Sequence, residues 1–179
     1  MKQVMSYVFV TVVGAVLLVV PASAQVSAGL NELGGSGYFE IGGYSGESDS
    51  QARLQLNLYY GRFLTDRFEI GPGFNIVKAQ GESASGAVNA FADYHFGDTS
   101  SSLVPYVETS IGKFFSGADD KPLFVAVGPG LKWFFADGGG ALNAITYYRR
   151  QFLDADHNDG ASGLNEFGVS VGVAVYFGR

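Results

Sequence analysis

From residue 36 to the C-terminus, apolar residues alternate with polar or small ones at a period of two. The last stretch is the clearest. Phe167, Val169, Val171, Val173, Val175 and Phe177 fall on one side, and Gly168, Ser170, Gly172, Ala174 and Tyr176 on the other. Successive side chains of a strand point to opposite faces, so each segment has one greasy face and one small or polar face. No helical stripe of any length competes with this pattern. Strands that are apolar outside and polar inside are the pattern of a β-barrel that crosses a membrane.

The N-terminus supports export. Lys2 is followed by the uncharged apolar run Val4 to Val20, then Pro21 and the small-residue site Ala22-Ser23-Ala24. This reads as a cleavable signal peptide over residues 1–24; the apolar run is short for a membrane-spanning helix of about 20 residues. Its removal leaves 155 of the 179 residues and, because Lys2 is its only charge, takes the net charge from −6 to −7. An acidic chain without a basic cluster argues against nucleic acid as a partner. There is no cysteine, hence no disulfide and no thiolate site. Gly 26 and an aromatic share of 15% are both high for a soluble domain. Glycine suits crowded barrel interiors and strand bends.

Eight strands are predicted, at 36–45, 52–64, 67–79, 86–97, 104–115, 122–136, 141–152 and 164–178, with residues 25–35 as a mobile periplasmic tail. The facing of the seventh is ambiguous. Connections alternate between tight turns (64–67, 97–102, 136–140) and longer, more acidic loops (46–51, 80–85, 116–121, 153–163). In an exported barrel the tight turns belong on the periplasmic side. Aromatic residues at the strand ends predict two interfacial girdles. One holds Phe63, Phe68, Tyr94, Phe96, Tyr106, Trp133, Phe134, Phe135, Tyr176 and Phe177. The other holds Phe114, Phe115, Phe124, Phe152 and Phe167. Pro72 and Pro129, each within Gly-Pro-Gly, lie inside predicted strands where no edge can accommodate them, so β-bulges are expected there.

With its Ala22-Ser23-Ala24 site, eight alternating strands and closing Val171-Gly172-Val173-Ala174-Val175-Tyr176-Phe177, the chain resembles the small eight-stranded outer-membrane barrels, the group of OmpX, OmpW and the OmpA membrane domain. The resemblance implies an all-β, eight-stranded antiparallel up-and-down transmembrane barrel over residues 36–179, located in the bacterial outer membrane. It also implies outer-membrane lipids and lipopolysaccharide as partners, and insertion machinery that reads the last strand. The family typically ends in Phe, whereas Gly178 and Arg179 follow Phe177 here. The resemblance carries no catalytic residues and no cofactor.

A barrel of this size is filled by its own side chains. The inward polar positions are Glu40, Arg53, Gln55, Glu69, Asn75, Asp93, His95, Glu108, Lys132 and Arg149. Buried charges need partners, so Arg53, Lys132 and Arg149 should meet carboxylates among Glu40, Glu69, Asp93 and Glu108. These readings favour a structural or interaction protein without catalysis; the alternative is a narrow porin-like channel for small solutes or ions. An acyl-transfer or deacylation site would need a histidine with a serine and a carboxylate at the lipid-facing rim, and neither His95 nor His157 stands in such a setting. A lipocalin-like barrel would be greasy inside, against the inward Arg, Glu, Asn and Asp residues. Asp154, Asp156, Asn158 and Glu166 imitate a calcium loop, with the glycine and the closing acid each one position late. A closed barrel of this kind should migrate faster on a gel before boiling than after, in an outer-membrane fraction; a single unshifted band would contradict the reading.

Overall fold

The computed structural model describes residues 26–44, 51–79, 84–98, 100–116, 121–135, 138–153 and 163–178, and at 39–44, 51–53, 79 and 116 the backbone alone. These residues form eight strands: β1 Asn31–Tyr44, β2 Gln51–Phe63, β3 Phe68–Ala79, β4 Ser85–His95, β5 Leu103–Ser116, β6 Leu123–Phe135, β7 Gly140–Phe152 and β8 Gly163–Phe177. Each pairs antiparallel with the next, and β1 pairs with β8 from Asn31↔Phe177 to Tyr44↔Leu164, which closes the sheet into a barrel. Closure leaves no edge whose N–H and C=O groups would face hydrocarbon unpaired.

The alternation sorts the faces as expected. Leu54, Leu56 and Leu58 on β2, Phe74 and Ile76 on β3, and Val169, Val171 and Val175 on β8 are exposed on the outer surface, Leu58 by 64% and Phe167 by 67%. Gln55, Asn57, Asn75, Asp93, Lys132 and Arg149 are buried within. Strand β7 resolves with Ala141, Asn143, Ile145, Tyr147, Arg149 and Gln151 inward. Its facing was hidden in the sequence because apolar Ile145 and Tyr147 share the inner face with Asn143 and Arg149.

Three expectations change. First, β1 begins at Asn31 rather than at residue 36, so residues 31–35 are wall and not tail. Residues 26–30 are ordered as well. The Gly29 amide donates to the Phe63 carbonyl at 2.8 Å and the Ala28 amide to Asp66 Oδ1 at 2.9 Å, while Val26 and Leu30 are buried. Second, several predicted girdle aromatics lie inside. Phe63, Val104, Phe134 and Ala141 pack with Val26 and Leu30, with Tyr176 against them, and plug the short-turn end; Tyr106 is also buried. Phe114 and Phe124 join Val77 and Ala87 in a second internal cluster towards the long-loop end. Neighbouring aromatics such as Phe134-Phe135 and Phe114-Phe115 cannot both face lipid, because strand pleating separates them.

Third, the two Gly-Pro-Gly segments are not bulges. The ladder passes from Tyr59↔Gly73 to Arg62↔Ile70 between β2 and β3, and from Val127↔Tyr148 to Gly130↔Ile145 between β6 and β7, without a change of register. Pairing skips the proline on one side and runs through it on the other, as Pro72↔Ala90 and Val107↔Pro129. A proline has no N–H to contribute to the skipped side. Glycine before the proline lets the neighbouring backbone come in: a Cβ at Gly71 would stand 1.8 Å from the Tyr60 carbonyl oxygen, and one at Gly128 2.0 Å from that of Thr146. A register shift does occur at Gly86/Ala87. In the turn between β4 and β5, the Ser100 hydroxyl and amide donate to Asp98 Oδ1 at 2.7 and 2.9 Å and hold that carboxyl below its usual range.

Gly128→Ala should therefore destabilise the barrel by about 1–3 kcal/mol. Gly37→Ala, where nothing lies within 4 Å of the new methyl, should change stability by less than about 0.5 kcal/mol. Urea unfolding in phospholipid vesicles measures both, and equal effects would contradict the close-approach account.

Candidate functional site

The lumen holds the polar side chains in two tiers. The tier nearer the short turns is built on Lys132. Alternation along Leu131-Lys132-Trp133 turns the ammonium inward, where it meets carboxylates from three other strands: Glu32 Oε2 at 2.6 Å, Glu69 Oε2 at 2.7 Å and Asp93 Oδ2 at 3.6 Å. All four side chains are essentially sealed from solvent. Glu32 Oε1 accepts from the Tyr59 hydroxyl at 2.8 Å and from Asn143 Nδ2 at 3.1 Å. The ammonium also lies over the rings of Phe63 and Tyr106, 5.5 and 5.3 Å from their centres. The floor of this tier is thus the aromatic plug. Breaking such a buried set by removing one partner leaves an uncompensated charge.

The second tier is built on Arg149 of β7. Its Nε donates to Glu166 Oε2 at 2.7 Å, and both terminal nitrogens donate to Gln55 Oε1 at 3.0 Å. Gln151 Nε2 donates to the same Glu166 oxygen at 2.8 Å. From Gln55 the network continues to Asn75 and from Asn75 Nδ2 to Asn89 Oδ1 at 2.8 Å. The guanidinium stacks near Phe124 and Tyr147. Between and beside the tiers lie two cavities of about 30 Å³ each. Tyr38, Asn89 and Glu108 line both. Each has room for about one or two waters.

Of the inward residues read from the sequence, Gln55, Glu69, Asn75, Asp93, His95, Lys132 and Arg149 are buried in the lumen, and Glu108 lines it. Glu40 and Arg53 are register partners on β1 and β2; their side chains lie outside the described atoms. Lys132 meets Glu69 and Asp93 as expected, but its shortest contact is Glu32, which the tail assignment had removed. Glu32 is buried beside exposed Leu33, but Asn31 before it is also polar and Gly34-Gly35 after it carry no side chains, so no two-residue period shows there. Arg149 pairs with Glu166, which was not among the four expected carboxylates. Glu166, the fourth residue of the calcium-loop pattern, is buried and pairs with Arg149 on the inner wall. Asp154, Asp156 and Asn158 lie outside the described residues.

The sequence matches the OprF membrane domain family over residues 49–179. No curated protein matches it. Among solved structures, Neisserial surface protein A superposes with a TM-score of 0.63 at 16% identity, covering 84% of this chain and 98% of that one. A de novo designed transmembrane β-barrel gives 0.54 at 12% identity, covering 86% and 99%. The attachment invasion locus protein of Yersinia pestis gives 0.53 at 14% identity, covering 84% and 99%. At these identities the likeness is one of fold.

Removing the ammonium leaves Glu32, Glu69 and Asp93 sealed together without their cation. Lys132→Met should cost about 3–5 kcal/mol. Lys113→Met, at an exposed outward position, should fall within about 0.5 kcal/mol of wild type. Denaturant midpoints in one lipid composition compare the two, and a neutral Lys132→Met would contradict the ion-pair account.

Proposed function

This chain belongs to the OprF membrane domain family and is a protein of the bacterial outer membrane; from that premise we propose that it is a structural or interaction protein, anchored by a barrel whose lumen does not conduct. The observation that carries the reading is the filled interior. Two ion-paired tiers are stacked with two apolar clusters, and the two cavities of about 30 Å³ beside the tiers are too small for a solute path. An open path would require Lys132 and Arg149 to leave buried carboxylates together, at several kcal/mol for each stranded charge.

The same proposal assigns the surfaces. The outward leucines, valines and phenylalanines meet lipid. Outward Lys78 and Lys113, towards the long-loop ends of β3 and β5, stand where lipopolysaccharide phosphates would begin. The closing strand β8, with Phe177 outward and exposed, is what insertion machinery would read. No catalytic role is proposed: His95 is sealed in the lumen, away from any lipid-facing rim.

In planar bilayers the purified barrel should give no steady conductance, at membrane potentials of either sign. Steady ohmic steps that change on removal of the Lys132 ammonium would establish the narrow-channel reading instead.

A further inference from the structure

The Lys132 tier leaves one corner unsatisfied. Lys132 uses Glu69 Oε2 and approaches Asp93 Oδ2. The other oxygen of each, Glu69 Oε1 and Asp93 Oδ1, is buried without a hydrogen-bond partner, and so is His95 Nε2. These three residues come from β3 and β4, with Glu69 and Asp93 directly paired in register. One donor atom from each lies within 4.8 Å of the other two.

The histidine is oriented for a particular task. Its Nδ1 lies 3.3 Å from the carbonyl oxygen of Arg67. A carbonyl can only accept, so Nδ1 carries the proton and Nε2 presents a lone pair. That lone pair stands 3.9 Å from Glu69 Oε2, too far for a direct hydrogen bond. The ring is held between Phe63 and Tyr106. An imidazole whose far N–H is fixed on a backbone carbonyl, with its lone pair aimed at carboxylates, is the usual arrangement of a metal-ligating histidine.

Charge points the same way. Glu32, Glu69 and Asp93 gather around one ammonium, and Glu108 lines the cavity beside them. Buried negative charge therefore exceeds buried positive charge in this tier, and such an excess demands a proton or a cation. We propose that Glu69, Asp93 and His95 bind a first-row divalent transition-metal ion inside the barrel wall. One nitrogen and carboxylate oxygens suit zinc, iron(II) or manganese(II) better than calcium. Metal–ligand bonds of about 2.0–2.2 Å place two donors up to about 4.4 Å apart across one ion, so a small rotation of the carboxylates closes the set. Lys132 keeps Glu32, and the carboxylates of Glu69 and Asp93 turn towards His95 Nε2. Because the aromatic plug seals this corner from the short-turn end, the ion enters while the barrel is closing.

The test is to refold the barrel from urea into phospholipid vesicles with Zn²⁺, strip free metal with a chelator and measure retained zinc by elemental analysis. About one equivalent should remain, and His95→Gln and Asp93→Asn should each reduce retention at least roughly tenfold, with heat-modifiable migration showing that the variants fold. Loading the wild type with Co²⁺ reads the same point without any substitution, through visible ligand-field absorption. Retention unaltered by either substitution would place the ion elsewhere, and absence of both retained zinc and the cobalt absorption would mean that water or a proton fills the corner; any of these overturns the proposal.

Discussion

Every peptide group in hydrocarbon must find its hydrogen-bond partner within the protein, and the seam between β1 and β8 is where this chain meets that demand. Fourteen register pairs join the first strand to the last, from Asn31↔Phe177 to Tyr44↔Leu164. Without that seam two strand edges would face lipid. The seam also explains why residues 31–35 belong to the wall: a first strand starting at residue 36 would leave the end of β8, from Val173 to Phe177, unpaired on one side.

Closure then creates a second problem, an interior too narrow to be wet and lined by charged residues. The chain answers it by matching cations on late strands with acids and an amide on other strands. Lys132 on β6 draws Glu32, Glu69 and Asp93 from β1, β3 and β4, and Arg149 on β7 draws Glu166 from β8 and Gln55 from β2. Arg149 and Glu166 are direct partners in the β7–β8 ladder, whereas the contacts of Lys132 and that of Arg149 with Gln55 cross the lumen and tie together strands that share no ladder. Aromatic side chains fill what remains: Phe63 and Phe134 under the first tier, Phe114 and Phe124 beside the second. The result is a packed core of polar and aromatic layers wrapped in an apolar skin.

The skin and the strand count were legible because both follow from the two-residue period, which pleating imposes regardless of tertiary detail. Inward polar residues such as Gln55, Asn75, Asp93 and Lys132 could be named for the same reason. What the period could not show was pairing across the lumen, since the partners of Lys132 on β1, β3 and β4 depend on shear and tilt. Glu32 was lost because Gly34 and Gly35 have no side chains to carry the alternation. The aromatics misled because tyrosine and phenylalanine serve both as interface anchors and as internal filling. The prolines misled because a missing N–H can be met by skipping a pair as well as by inserting a residue.

The central claim is the sense of the two faces, and the absence of cysteine from the sequence makes it directly measurable. Nitroxide labels placed one at a time at Leu54, Gln55, Leu56 and Asn57, in the barrel reconstituted in vesicles, report collision with membrane-dissolved oxygen. Oxygen accessibility should be high at Leu54 and Leu56 and low at Gln55 and Asn57. The opposite phase, or no alternation between neighbouring sites, would contradict a barrel with an apolar outside and a polar interior.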